Sequence, residues 1–174
     1  MRVHIELGGS TTKTFSALLA AGSLLLPMSL AQAQSGAHTF TVHASAIGSL
    51  IALDGGGRYA ASGFLQGGGG FRVTSDINGG PLAGLRAGDA GHWEASELLP
   101  SSGFKCGFPG EAGKTATTDD DTVVFSARFF RNGDPTPLTA KVFLSAQDED
   151  PVDGGSQDVW IQGVGCDEGN VNVR

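Results

Sequence analysis

The sequence is poor in the residues from which most catalytic and nucleic-acid-binding sites are built. It has two cysteines, one tyrosine and only 11 Lys and Arg residues against 18 Asp and Glu residues, a formal net charge of −7. A protein that binds a nucleic-acid backbone needs a basic face to displace counterions, so this balance predicts no nucleic-acid partner. A hydrophobic fraction of 40% with a charged fraction of 17% excludes a disordered chain. The length fits one domain.

Long apolar runs are also scarce, and the one that exists lies near the N-terminus. Arg2 and Lys13 supply positive charge before an apolar stretch over residues 15–30, and residues 31–33 have the small-x-small pattern that signal peptidases cleave. Gly and Pro interrupt the run, which is short for a membrane span; an N-terminal anchor helix is the alternative. We therefore predict that residues 1–33 are a cleaved signal peptide.

The mature chain, residues 34–174, is then expected to form one exported domain. It contains no second apolar run long enough to cross a bilayer, so no membrane span is expected after processing. The predicted location is the periplasm or the extracellular space, and both stay open.

Strand patterns dominate this mature chain. Apolar and polar residues alternate over residues 39–46, 123–130 and 138–145, as they do in half-buried strands. Residues 131–137 contain Asn-Gly and two prolines, which predicts a hairpin loop between the last two of these strands. Short strands separated by frequent turn signals are typical of an all-β fold, and we predict a single antiparallel β-sandwich.

Glycine accounts for 28 residues and is concentrated in two runs, 55–57 and 67–70. Apolar residues flank both runs at strand spacing, so we interpret them as turns between short strands, with flexible spacers as the alternative. Residues 93–99 are predicted to hold a helical turn within the least regular part of the chain.

The two cysteines, Cys106 and Cys166, form an even pair in an exported chain, which predicts a disulfide. The alternative is a pair of reactive or metal-ligating thiols. The chain has no Cys-x-x-Cys motif, and Asp167 and Glu168 beside the second cysteine would raise the pKa of a thiol rather than lower it.

Acidic clusters are the most suggestive candidates for chemistry. They occur at residues 119–121, 148–158 and 167–168. Calcium prefers six to eight oxygen ligands held in loops, which makes a calcium site a candidate cofactor site. Its predicted ligands are Asp148, Asp150, Asp153 and Asp158. The alternative is that the carboxylates solvate turns and discourage edge-to-edge association of strands.

No residue is predicted to be catalytic. The chain lacks the Gly-x-Ser-x-Gly motif, and His38 and His43 fall on opposite faces of one predicted strand because their separation is odd. An acid/base pair or a ligand at His92 is the less favoured reading. Exposed aromatic residues could form a sugar-binding platform; the candidates are Tyr59, Trp93 and Trp160, of which Trp160 has the pattern of a core residue.

Residues 144–171 resemble the close of the post-COAP type of secreted bacterial β-sandwich module. The similarity consists of Asp148 with Pro151 after it, Asp158 before the alternating Val-Trp-Ile, and a Gly-Asn-aliphatic finish at residues 169–171. It covers about a fifth of the predicted mature chain. The resemblance implies an accessory or structural module without defined catalytic residues, so it transfers no site.

Together these patterns predict a secreted, non-catalytic protein with an envelope-structural, adhesion or ligand-binding role and a glycan or an envelope protein as partner. The alternative is a secreted hydrolase or carbohydrate-active domain. An enzyme would have a concave pocket lined by two or more carboxylates with His92 or Trp93 nearby. A binding module would have its acidic residues dispersed over loop tips.

Overall fold

Alternating side chains and turn-forming glycines build eleven strands in the part of the chain that the structure describes. The computed structural model describes residues 36–147 and 157–174, which belong to one compact unit. The predicted signal peptide lies outside these residues. The strands are β1 (Ala37–Ile47), β2 (Ile51–Ala60), β3 (Leu65–Val73), β4 (Ala90–Leu99), β5 (Ser101–Phe104), β6 (Lys114–Thr117), β7 (Thr122–Arg131), β8 (Leu138–Ser145), β9 (Val159–Ile161), β10 (Gly165–Asp167) and β11 (Asn170–Val173).

Nine strands form one antiparallel sheet in the order β10-β9-β8-β7-β4-β3-β2-β1-β11, and β5 and β6 form a separate hairpin. The main sheet curls on itself. Phe40 of β1 stacks on Phe125 of β7 with ring centroids 5.7 Å apart, although three strands separate β1 from β7 in the sheet order. The amide of Gly48, after β1, donates to the carbonyl of Cys166 in β10 at 3.2 Å. The concave side of the curl therefore encloses the main core.

These observations confirm an all-β antiparallel fold and leave the two-sheet sandwich unconfirmed. The strand alternation predicted over residues 39–46 is present in β1, where the even-numbered Phe40, Val42 and Ala44 are buried and the odd-numbered positions are exposed. The predicted hairpin loop is also confirmed, because β7 and β8 pair across residues 131–137. Among the described residues the structure contains no helix with the length and hydropathy that a membrane span requires.

Two local predictions were wrong. The glycine runs are not turns but lie inside β2 and β3, where residues 55–57 pair with residues 67–69. Residues 93–99 form part of β4 rather than a helical turn. That segment pairs with β7 and buries Trp93, so strand pairing and burial override its local helical pattern.

The glycines leave space for two large rings that lie against the sheet. A Cβ atom added to Gly57 would lie 2.7 Å from Cζ of Phe40, and one added to Gly67 would lie 2.8 Å from the same atom. A Cβ atom on Gly55 would lie 2.8 Å from Cζ2 of Trp93. Any larger residue would displace the aromatic core, which explains glycine at mid-strand positions where it otherwise weakens a sheet.

A second, smaller core lies on the outer face of the main sheet. Val124, Phe143 and Trp160 are neighbours across β7, β8 and β9 and point away from the main core. The β5–β6 hairpin covers them with Phe104 and Ala116, and the Phe104 and Phe143 rings meet edge-on at 4.7 Å. The hairpin thus adds a local second layer over one end of the sheet.

Replacing Gly57 with Ala should lower the free energy of unfolding by about 1–3 kcal/mol, the usual cost of overpacking a core. The new Cβ would lie 2.3 Å from the Gln66 carbonyl oxygen as well as against Phe40, so the backbone must shift. Urea denaturation of Gly57→Ala and of Gly79→Ala would measure the effect. Gly79 has no atom within 4 Å of its added Cβ. Equal stability of the two variants would contradict the role assigned to the glycines.

Candidate functional site

Three of the four predicted calcium ligands, Asp148, Asp150 and Asp153, lie outside the described residues. Asp158 is half-buried just before β9, and its carbonyl oxygen accepts a hydrogen bond from the Ser145 amide at 2.8 Å. Within residues 36–147 and 157–174, no three His, Cys, Asp or Glu side chains form a group suited to a metal ion. Calcium binding therefore stays a prediction.

Asp119, in the acidic cluster at residues 119–121, and Asp134, which lies outside the clusters, both stabilise turns. One carboxylate oxygen of Asp119 accepts hydrogen bonds from the amides of Asp121 and Thr122, both at 2.9 Å, immediately before β7. In the loop after that strand, the Asp134 carboxylate accepts the Thr136 amide and pairs with Arg131. These contacts hold the pKa of Asp134 below its usual value, with the amide hydrogen bond as the larger cause. At both places the carboxylate acts as a turn-forming group.

All three candidate platform aromatics, Tyr59, Trp93 and Trp160, are buried, so they form no exposed sugar platform, and Trp160 is a core residue as its pattern predicted. Tyr59 and Trp93 each have 1% of their surface exposed. The Tyr59 hydroxyl donates to the Asp119 carbonyl at 2.6 Å, and burial, with the neighbouring Asp119–Asp121 charges, raises its pKa. Trp93 Nε1 donates to the Asp54 carbonyl at 2.9 Å. Both polar groups are occupied in holding the core.

His92 lies on the outer face of β4 and is the exposed member of the predicted site residues. Its ring stacks on Phe130 of β7 with centroids 4.9 Å apart, and its Nε2 atom lies 3.8 Å from a Glu94 oxygen. Arg128 binds the same Glu94 carboxylate at 2.8 Å. The structure therefore places His92 in a surface cluster across β4 and β7. His38 and His43 lie on opposite faces of β1, as predicted.

The predicted disulfide is present between Cys106 and Cys166, whose Cα atoms are 4.7 Å apart. Cys106 follows the β5–β6 hairpin's first strand and Cys166 lies in β10, so the bond ties the hairpin layer to the end strand of the main sheet. Both cysteines pack against the second core. The described chain has no free cysteine.

A groove of about 410 Å³ opens where this hairpin meets the outer face of β8 and β9. We call it the lysine groove, because Lys105, Lys114 and Lys141 all line it. These are the only lysines after Lys13 in the whole sequence. Phe104 and Trp160 form its floor and Gln162 belongs to its wall. An acidic protein thus gathers all the lysines of its predicted mature chain in one groove.

Hydrogen bonds hold the backbone of the groove in place. Trp160 Nε1 donates to the Lys105 carbonyl at 3.0 Å, which fixes the start of the loop after β5 against β9. The Lys141 amide donates to Oε1 of Gln162 at 3.3 Å, which orients that side chain. The described residues place no carboxylate within ion-pair distance of the Lys105 or Lys141 ammonium group. Two of the three charges therefore face the groove and solvent.

The third lysine is held by Glu111. The Lys114 ammonium lies 3.2 Å from a Glu111 oxygen and 5.9 Å from the centroid of the Phe104 ring. The Glu111 side chain is only 3% exposed, and it accepts hydrogen bonds from the Cys106, Gly107 and Phe108 amides at 2.8–3.3 Å. Burial raises the pKa of Glu111, but these amides and Lys114 outweigh that effect and lower it. The loop between β5 and β6 is thus organised around one carboxylate.

A second cleft, of about 190 Å³, lies beside the β7–β8 hairpin. Arg131 lines it and is bound by Asp134 at 3.1 Å and by Asp89 at 3.5 Å. Of the residues that line this cleft or the lysine groove, Asp134 is the single carboxylate. Neither of these two clefts is therefore lined by two or more carboxylates, the arrangement expected of an enzyme.

Sequence reasoning missed the lysine groove because its members are far apart and follow no motif. Two signals were available: the chain has few lysines, and Lys105 precedes a cysteine that the predicted disulfide would bring to the C-terminal strands. The outward row of Val124, Phe143 and Trp160 was invisible in the sequence, since it needs the strand registers.

No protein-family model, curated protein or solved structure matches this chain. The resemblance of residues 144–171 to the post-COAP type of module stays a prediction.

Glu111→Gln should destabilise the protein by about 1–3 kcal/mol at pH 7, because several charge-assisted hydrogen bonds are lost. The wild type should also lose stability as the pH falls. A carboxyl group with a lowered folded pKa contributes stability above its unfolded pKa, about 4.5, and loses it as the pH falls through the folded value. Thermal melts from pH 7 to pH 3 would measure both effects. Glu97→Gln, at an exposed position of β4, is the control. Parallel pH curves for the wild type and Glu111→Gln would contradict this role.

The double variant Cys106→Ser with Cys166→Ser should be less stable by about 4 kcal/mol, the loop-closure value for residues 60 apart. Chemical denaturation of the oxidised wild type, the reduced wild type and the double variant would measure it. The two disulfide-free forms should unfold together. Stability equal to that of the oxidised wild type would show that the bond does not constrain the fold.

Proposed function

We propose that the chain is an exported, non-catalytic binding module whose lysine groove takes an anionic ligand. The single observation that carries the proposal is the convergence of Lys105, Lys114 and Lys141 on one groove with an aromatic floor. Concave sites with a few fixed polar groups over an apolar base are typical ligand sites. In this proposal the curled sheet provides the layers of a β-sandwich, and the groove lies outside them.

The disulfide supports the exported part of the proposal. Such bonds persist in oxidising compartments, which include the bacterial periplasm and the extracellular space. Residues 1–33, as a cleaved signal peptide, would deliver the chain there.

The charge distribution supports an anionic ligand. The formal net charge of the chain is −7, so an anion is repelled at long range and must gain its affinity from local contacts. Lys105 and Lys141 can supply these contacts, since the described residues give their ammonium groups no carboxylate partner. The hydrolase alternative has no observation in its favour in the described residues.

The test is binding to dextran sulfate, a general polyanion, with neutral dextran as the ligand control. Lys105→Gln with Lys141→Gln should weaken binding about fivefold or more, since two charge contacts of about 0.5–1 kcal/mol each are removed. Arg58→Gln with Arg72→Gln removes the same charge at exposed positions of β2 and β3, outside the groove, and should change binding less than about twofold.

Affinity from isothermal titration, with a melt of each variant to verify folding, decides the outcome. Equal losses in the two double variants would mean that net charge rather than the groove attracts the polyanion. Absence of binding by the wild type would overturn the proposed function.

A further inference from the structure

The β5–β6 hairpin and the main sheet, which together line the lysine groove, both contribute positive charge to it. Lys105 and Lys114 belong to the hairpin side, where Lys114 begins β6 and pairs with Phe104 of β5. Lys141 lies in β8, so it belongs to the side of the groove that the main sheet forms. Packed β layers are about 10 Å apart. A ligand that uses all three lysines must therefore present anionic groups to two sides along an extended length.

The groove also contains a hydrogen-bond donor suited to hydroxyl groups. Oε1 of Gln162 accepts the Lys141 amide, so the Nε2 end is the part of this side chain that can donate to a ligand. Gly103, Gly113 and Gly163 interrupt the walls, and an added Cβ on Gly103 or Gly113 would meet only atoms 3.7–3.8 Å away. The lysine groove is consequently shallow and has room for a sugar ring.

Extended peptides fit this groove less well. An extended peptide is usually bound by strand addition at an unpaired sheet edge, but β8 pairs with β7 and β9, and β9 pairs with β8 and β10. No arginine lines the groove, so its lysines would hold an anionic ligand by point charges rather than by bidentate pairs. Lysine supplies compact point charges at the end of flexible stems, which suit carboxylates spaced along a chain.

We infer that the lysine groove binds an extended acidic polysaccharide whose sugar units carry carboxylates, a polyuronate. In a β-1,4-linked uronate chain, successive carboxylates project to opposite sides, and each ring offers hydroxyl groups. The carboxylates meet Lys105 and Lys114 on the hairpin side and Lys141 on the sheet side, while hydroxyls accept from Gln162. This inference rests on the proposed function, because it names the ligand class of the same site.

The experiment compares β-1,4-mannuronate oligomers with polyphosphate and poly-glutamate at equal charge concentration, by isothermal titration with the full mature chain. The mannuronate oligomer should bind about tenfold more tightly than either, which corresponds to 1.4 kcal/mol. Carboxyl-reduced oligomer should lose at least as much. Lys105→Gln and Lys141→Gln, one from each side, should each weaken mannuronate binding about threefold or more, whereas Arg72→Gln should not.

Each outcome is decisive. Tighter binding of poly-glutamate would replace the polyuronate with an acidic peptide, and tighter binding of polyphosphate would replace it with a phosphate ligand. Binding of dextran sulfate without preference for mannuronate would overturn the inference and leave the proposed function standing. Loss of all binding, including that of dextran sulfate, would remove both. Gln162→Ala separates hydroxyl recognition from charge, since it should weaken mannuronate binding and leave dextran sulfate binding unchanged.

Discussion

A row of apolar side chains on the outer face of the main sheet has to be kept from water. The lysine groove results from the way in which the chain covers this row. Val124, Phe143 and Trp160 lie side by side on the outer face, where a surface strand would ordinarily carry polar residues. The β5–β6 hairpin covers this row, and the disulfide and the Trp160–Lys105 hydrogen bond hold the hairpin down. The gap left at the hairpin's edge is the lysine groove.

Several carboxylates of this protein are satisfied locally by backbone amides. Asp119 and Asp134 bind backbone amides in turns, where each carboxylate is satisfied locally. Glu111 does the same beside the groove and holds Lys114 in place. The net charge of the chain therefore says little about the groove, which no carboxylate lines. A polyanion meets a repulsive field at a distance and an attractive one at close range, so moderate salt, which screens the distant charges more than the close ones, should favour selective binding.

The fold could be predicted from the sequence where alternation is regular. β1, β7 and β8 show a period of two, and the Asn-Gly and proline signals mark the hairpin loop between β7 and β8. The glycine-rich strands β2 and β3 could not be predicted in this way. Their glycines make room for the rings of Phe40 and Trp93, which are distant in sequence. The same holds for the site. Cys106 with Cys166 was predictable from count and compartment, but Lys141 reaches Lys105 only through a register that no local pattern reveals.

The paired glycine runs also affect how strands β2 and β3 reach their native register. Where residues 55–57 lie opposite residues 67–69, no side chain distinguishes one alignment from another, so the ladder itself is indifferent to sliding. The register is instead fixed by the flanking pairs, Leu53 with Phe71 and Tyr59 with Leu65. A shift of the β2–β3 register by two residues would keep each residue on its own face of the sheet. It would, however, separate these partners and move the glycines away from Phe40 or Trp93. The packing of these two aromatic rings against the glycines therefore favours the native strand register over shifted ones.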